Sequence, residues 1–157
     1  MKNLRKVLAL VLVVASLMGM AVMTNAAFTD ADKISQANGE AVEILAALKI
    51  IDGYTDGSYQ PTKTVTRAEM AKMIATIMNS GKDINNLYKA SCTFADAKDH
   101  WAAGYIGYCA SMGIINGKSE TTFAPNAEVT GVEAAKMLLC ALGYSAETEG
   151  LTGAAWA

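Results

Sequence analysis

Gly53-Tyr54-Thr55-Asp56-Gly57-Ser58-Tyr59-Gln60-Pro61, followed by Thr64-Val65-Thr66-Arg67-Ala68-Glu69, decides the fold. The first part is a glycine-rich turn and the second is a helix start. Thr66 and Glu69 have the spacing of a capping box, in which the threonine oxygen takes the Glu69 N–H and the glutamate reaches back to the Thr66 N–H. Val65 and Met70 fit the hydrophobic staple that accompanies such a start. Arg67 is the odd residue, because it falls on the first helical position. An exposed cation there opposes the helix dipole by about 0.3–1 kcal/mol. Two readings stay open: the side chain snorkels into solvent, or Arg67 and the free N–H groups beside it receive an anion.

The stretch returns sixty-four residues later. Aligned without gaps, residues 48–78 and 112–142 share ten identities in thirty-one positions, among them the turn glycine, the proline and both capping residues. Thr130 and Glu133 restate the capping box. Arg67, however, becomes Gly131, and Asp56-Gly57 becomes Glu120-Thr121. Gly57 is expected to take a positive φ, so its loss implies a different turn in the second copy.

Each copy has a helical pattern ahead of its turn. Phe28-Thr29-Asp30 opens the first unit, with Asp30 or Asp32 as candidate caps. Ala41, Ile44, Leu45 and Leu48 then recur at helical spacing over about 35–48. The second helix, about 67–79, puts Met70, Met73, Ile74 and Ile77 on one face, a pattern of ordinary core. Residues 81–93 read as a polar connector. Phe94-Ala95-Asp96 opens the second unit, Trp101, Tyr105, Tyr108 and Met112 trace a helical face, and Met137, Leu138, Ala141 and Leu142 do so on the last helix, about 132–142. Units of two helices are too small to bury a full core alone, so the two are expected to pack on each other.

Gly-Tyr-x-Asp-Gly-x-Tyr-x-Pro followed by Val-Thr-Arg-Ala-Glu resembles the signature of the S-layer homology (SLH) domain. The resemblance covers about residues 28–144. It implies an all-α fold of tandem repeats, each two helices joined by a Gly-rich turn, packed as part of an incomplete pseudo-threefold bundle. It also implies a function: non-covalent anchoring of an exported protein to polysaccharide linked to peptidoglycan, often an anionic, pyruvylated polymer. The ligand groove would draw on Arg67, Thr66, Asp56 and Gly57 from one unit and on Trp101 from the other. Glu69, Thr130 and Glu133 would serve as structural caps. His100-Trp101-Ala102 matches the family's repeat opening, and Trp101 reads either as core or as a sugar-stacking platform. Trp156-Ala157 echoes Trp101-Ala102, so 145–157 looks like the start of a truncated third repeat, with repeats one and two at 28–80 and 94–144.

Residues 1–26 read as a secretory signal peptide: Lys2, Arg5 and Lys6 precede an apolar run from Val7 to Met23, and Thr24-Asn25-Ala26 supplies a cleavage site. The membrane is therefore expected to matter only during export. Without the three leader cations, ten Lys and Arg face fifteen Asp and Glu, a formal net charge of −5. Such a chain is a poor nucleic-acid binder. Cys92, Cys109 and Cys140 are an odd number and read as structural. Asp52-x-Tyr54-x-Asp56-Gly57 is no calcium loop, because Tyr54 and Lys63 stand where oxygen ligands belong. With a single histidine, no catalytic motif and both glutamates used as caps, neither enzyme activity nor a cofactor is expected within these residues. Two alternatives to plain anchoring remain: a self-associating surface-layer subunit, or the anchor of an enzyme whose catalytic domain lies elsewhere.

Overall fold

A computed structural model describes residues 28–145; the expected signal peptide and all but the first residue of the expected third repeat lie outside them. The described residues form five α-helices and no strand: α1 Gln36–Ala47, α2 Arg67–Met78, α3 Asn85–Tyr88, α4 Ala103–Ser111 and α5 Gly131–Ala141. Short 3₁₀ turns lie at Ala31–Lys33 and Lys89–Ser91. None of these helices is long and apolar enough to cross a membrane. The fold is all-α, as the periodicity and the resemblance imply.

The two units share a clamp between their opening segment and their turn. Thr29 N–H donates to the Gly57 carbonyl and Ala95 N–H to the Thr121 carbonyl. The Asp30 carboxylate accepts the N–H groups of Tyr59 and Gln60 at 2.7 and 2.9 Å, and Asp96 accepts those of Phe123 and Ala124 at 2.9 and 2.8 Å. These bonds, Tyr59 first for Asp30, hold the Asp30 carboxyl below its ordinary range. Asp30 thus ties the turn and does not cap the next helix with its side chain. Above each clamp an aromatic pair stacks with a tilt, Phe28 on Tyr59 and Phe94 on Phe123. Gln60 and Ala124 both take the left-handed backbone, φ 56° and 58°. Gly57 has φ 80°, whereas Thr121 does not adopt a positive φ, so the two turn tips do differ.

The main core is asymmetric. It gathers α2, α4 and Met137 of α5, with Phe123, Ile74, Ile106 and Cys109 fully buried. Every residue of α4 from Ala103 to Cys109 is buried, because this helix is apolar or small throughout. On α1 only Val42 and Ala46 are buried and Ala41 faces outward, since Gln36, Asn38, Glu40 and Glu43 leave it a narrow apolar stripe. The expected face on α4 is also corrected. Tyr105 and Tyr108 are core, but Trp101 precedes the helix and Met112 follows it, both exposed. On α5, Leu138 and Leu142 are exposed as well.

Residues 81–93 are more than a polar connector. Ile84 and Cys92 are buried there, and α3 with its 3₁₀ extension packs along α4. Gly104 and Gly107, one turn apart, admit the close approach: a Cβ on Gly107 would stand 2.7 Å from the Tyr88 carbonyl oxygen and 2.8 Å from the Cys92 nitrogen. A Cβ on Gly39, in α1, would meet nothing within 4 Å. Gly107→Ala is therefore expected to cost about 1–3 kcal/mol. Gly39→Ala should instead stabilise by about 0.5–1 kcal/mol through helix propensity. Urea unfolding of the two variants checks both signs.

Candidate functional site

The site is a seam where the start of α2 enters the second unit. Residues 64–68 lie alongside 125–129. Arg67 N–H donates to the Ala127 carbonyl, Ala68 N–H to the Pro125 carbonyl, and Val129 N–H returns to the Val65 carbonyl. Thr66 and Glu128 form an isolated antiparallel bridge, and Thr64 Oγ1 donates to Glu128 Oε1 at 2.8 Å. Behind this short ladder the capping box holds α2 in place: Thr66 Oγ1 accepts Glu69 N–H, and Glu69 Oε2 accepts Thr66 N–H at 2.8 Å. Tyr54 donates its hydroxyl to the other Glu69 oxygen at 3.0 Å.

Arg67 runs into the second unit and is 2% exposed. Its Nε donates to the Phe123 carbonyl at 2.9 Å, and its two terminal nitrogens donate to Glu133 Oε1 at 2.7 Å and the Asn116 carbonyl at 2.8 Å. The guanidinium also lies 4.5 Å from the Phe123 ring centre. Neither expected reading of Arg67 describes this position. The side chain does not snorkel to solvent, and each of its three nitrogens donates to a protein acceptor. The neighbouring N–H groups of Arg67, Ala68 and Glu69 donate to Ala127, Pro125 and Thr66, so the first-turn backbone donors are already taken by the protein. Burial pulls the Arg67 value down, but an arginine remains charged. A buried charge of this kind needs an acceptor for each face of its fork, and the turn carbonyls supply them.

Glu133 serves two elements. It completes the capping box of α5 with Thr130, and it pairs with both Arg67 and Lys118, the latter at 2.5 Å. Lys118 first, then the Thr130 N–H, bring its carboxyl from the usual 4.5 down to about 2. Capping alone, as expected from the sequence, leaves out its second role as the counter-ion of Arg67. The available signal is the asymmetry of the copies: the capping glutamate is kept in both, while the arginine is present in only one.

Trp101 is 51% exposed, on the outer edge of the same seam. His100 lies beside it, ring centres 5.3 Å apart. His100 Nδ1 accepts Ala102 N–H, so Nε2 is the donor toward Asn126 Oδ1 at 3.1 Å. Asn126 in turn sits between Pro125 and Ala127, the two residues whose carbonyls take the α2 N–H groups. Asn85 Nδ2 fixes the Trp101 carbonyl at 2.7 Å while Asn85 Oδ1 accepts Gly104 N–H. Asp56 and Gly57 stand at the exposed tip of the first turn. Asp56 Oδ1 accepts both Ser58 N–H and Ser58 Oγ, which lowers its value, and Oδ2 has no partner among the described residues. No hydrogen bond joins this tip to Trp101. Among the described residues, no group of His, Cys, Asp or Glu is arranged to hold a metal ion.

The S-layer homology domain model matches residues 27–71 and 93–135, more than half of the chain. The chain belongs to the S-layer homology family. It is an exported protein of the bacterial cell surface, and the matched segments are its two S-layer homology repeats. It is 33% identical over 127 residues to a middle cell wall protein of Brevibacillus brevis, covering 80% of this chain and 12% of that protein. It is 32% identical over 153 residues to a surface layer protein of Brevibacillus choshinensis, 96% of this chain and 14% of that one. An uncharacterized cell wall amidase of Bacillus anthracis is 35% identical over 91 residues, 58% of this chain and 16% of the relative. The chain thus spans only about a seventh of the length of these relatives.

Two outcomes follow from the seam. Removing one partner of a buried ion pair costs about 3–5 kcal/mol, so Arg67→Ala should lower unfolding stability by that amount. Arg67→Lys should recover only part of it, because an ammonium does not reproduce the fork. The second outcome concerns acid. The Glu133 value is lower folded than unfolded, so its contribution is complete above about 4.5 and is lost as pH falls toward about 2. Denaturant midpoints measured across that window should decline more steeply in the natural protein than in Glu133→Gln.

Proposed function

We propose that the two repeats hold an exported protein at the cell wall by non-covalent binding to peptidoglycan-linked polysaccharide. The observation that carries this reading is the exposed Trp101 ring, which lies beside His100 on a backbone whose carbonyl Asn85 holds. A half-open aromatic face on a fixed backbone suits stacking on a sugar ring. Asn126 adds an amide nitrogen for sugar hydroxyls, and Asp56 Oδ2 offers an acceptor at the turn tip shaped by Gly57. Thr66, Glu69 and Arg67 act one step back. They fix the helix start and the seam on which the platform rests, and Arg67 works as a positioning residue. The resemblance carries the remaining part of the reading, that the polymer is anionic and pyruvylated. The amidase relative favours one variant, in which these repeats anchor an enzyme carried by further chain.

Co-sedimentation with purified cell-wall sacculi, before and after acid stripping of the attached polysaccharide, tests the proposal. Binding is expected to disappear on stripping. Trp101→Ala should weaken it about tenfold, the equivalent of about 1.4 kcal/mol of stacking, with the thermal midpoint unchanged. Equal binding to stripped and unstripped walls, or full binding by Trp101→Ala, would overturn it.

A further inference from the structure

α4 begins without a cap of its own. Its N-cap residue is Ala102, which carries no side-chain oxygen, so the helix start depends on another element. The connector supplies it. Asn85 Oδ1 accepts Gly104 N–H at 2.8 Å, and the same amide donates through Nδ2 to the Trp101 carbonyl at 2.7 Å. One side chain therefore caps α4 and holds the backbone of the residue that carries the exposed indole. The Asn85 backbone lies directly on α4: a Cβ on Gly104 would stand 1.7 Å from the Asn85 carbonyl oxygen.

Asn85 is held in turn by Asp83. The four-residue α3 is too short to fix its own start, and Asp83 Oδ1 accepts the Asn85 N–H at 2.8 Å. The same oxygen accepts the Tyr105 hydroxyl, from the first turn of α4, at 2.7 Å. The Asn85 N–H first, then the Tyr105 hydroxyl, hold the Asp83 carboxyl below its ordinary range. Burial first, then Asp83, raises the Tyr105 phenol, so Tyr105 remains a donor. Lys72 of α2, paired with Asp52 just ahead of the first turn, adds the attraction of its charge to Asp83. These contacts close a ring that runs from Asp83 to Asn85, from Asn85 to the start of α4, and from Tyr105 back to Asp83. Trp101 is attached to that ring two residues ahead of the helix.

We infer that Asp83 is a positioning residue for Trp101, acting through Asn85, and that the connector is thereby a working part of the wall-binding surface. The inference rests on the reading of Trp101 as a sugar platform. A half-exposed indole takes its direction largely from the backbone that carries it. Loss of Asp83 frees Asn85 and with it the Trp101 carbonyl, while the Tyr105 ring stays packed in the core.

Three variants separate positioning from folding. Asp83→Ala removes the acceptor for both donors, and Asp83→Asn keeps an acceptor oxygen. Asn85→Asp keeps the oxygen that caps Gly104 and loses only the donor to Trp101, so α4 retains its cap. The chain has two tryptophans, Trp101 and Trp156, so the exported protein carrying Trp156→Phe reports Trp101 fluorescence alone. In that background, Trp101 anisotropy without ligand should fall in Asp83→Ala and in Asn85→Asp. Binding to unstripped sacculi should weaken about fivefold in both, the effect of one lost hydrogen bond. Asp83→Asn should recover most of each loss, and the thermal midpoint of Asn85→Asp should match that of the unaltered protein. Unchanged anisotropy in both Asp83→Ala and Asn85→Asp would refute the inference. Full wall binding by those two variants, when Trp101→Ala binds weakly, would refute it as well. Full binding by Trp101→Ala would remove the sugar-platform reading itself, and the anisotropy alone would then decide whether Asp83 positions the ring.

Discussion

A guanidinium that is withdrawn from water must find oxygen, and the position of Arg67 follows from that requirement. Its partners come from three separate places in the second repeat: the start of the turn at Asn116, the end of the turn at Phe123 and the helix cap at Glu133. These three points converge only if the second turn is closed by Asp96 and α5 is capped by Thr130. The first repeat must likewise present Arg67 from a fixed helix start, which Thr66 and Glu69 ensure. One side chain therefore makes the order of each repeat depend on the order of the other. Its energetic weight lies less in the pair itself than in the cost of leaving the charge buried without it.

Local features are open to reading from sequence. The capping boxes, the turn glycine and the sixty-four-residue period depend on a few adjacent residues, and backbone geometry constrains them strongly. Arg67 shows where such reading stops. Its residue type and its place at the helix start invite an anion, and only tertiary structure shows which atoms already occupy its donors. The glycines of α4 illustrate a second limit. Gly104 and Gly107 are one turn apart and small, yet nothing in periodicity says that α3 is the element that comes close. The outward leucines of α5 show a third. Helical spacing identifies an apolar face but not whether anything covers it, and the α2 and α5 patterns diverge in burial although both follow the same motif.

The same asymmetry shapes the proposed binding surface. A platform for sugar gains from rigidity, because a ring already held in place loses little freedom on binding. The Trp101 backbone is fixed to the connector through Asn85, and its neighbour His100 is fixed to the seam through Asn126, so the surface is tied to the junction beneath it. The turn tip at Asp56 and Gly57 depends only on its own repeat and on the Asp30 clamp. The two candidate contact regions thus draw on different parts of the fold.

The thiols carry a different consequence. Burial raises all three values, that of Cys109 to about 12, and leaves Cys92 and Cys109 in the core. Only the thiolate attacks disulfides, so Cys109 is chemically silent once the core has closed. An extended chain has no such shelter, and each cysteine then behaves as an ordinary thiol in an oxidising exterior. Protection from oxidation is consequently a matter of timing: the repeats must close faster than their cysteines are captured. The helix-rich, mostly local contacts within each unit favour the rapid side of that race.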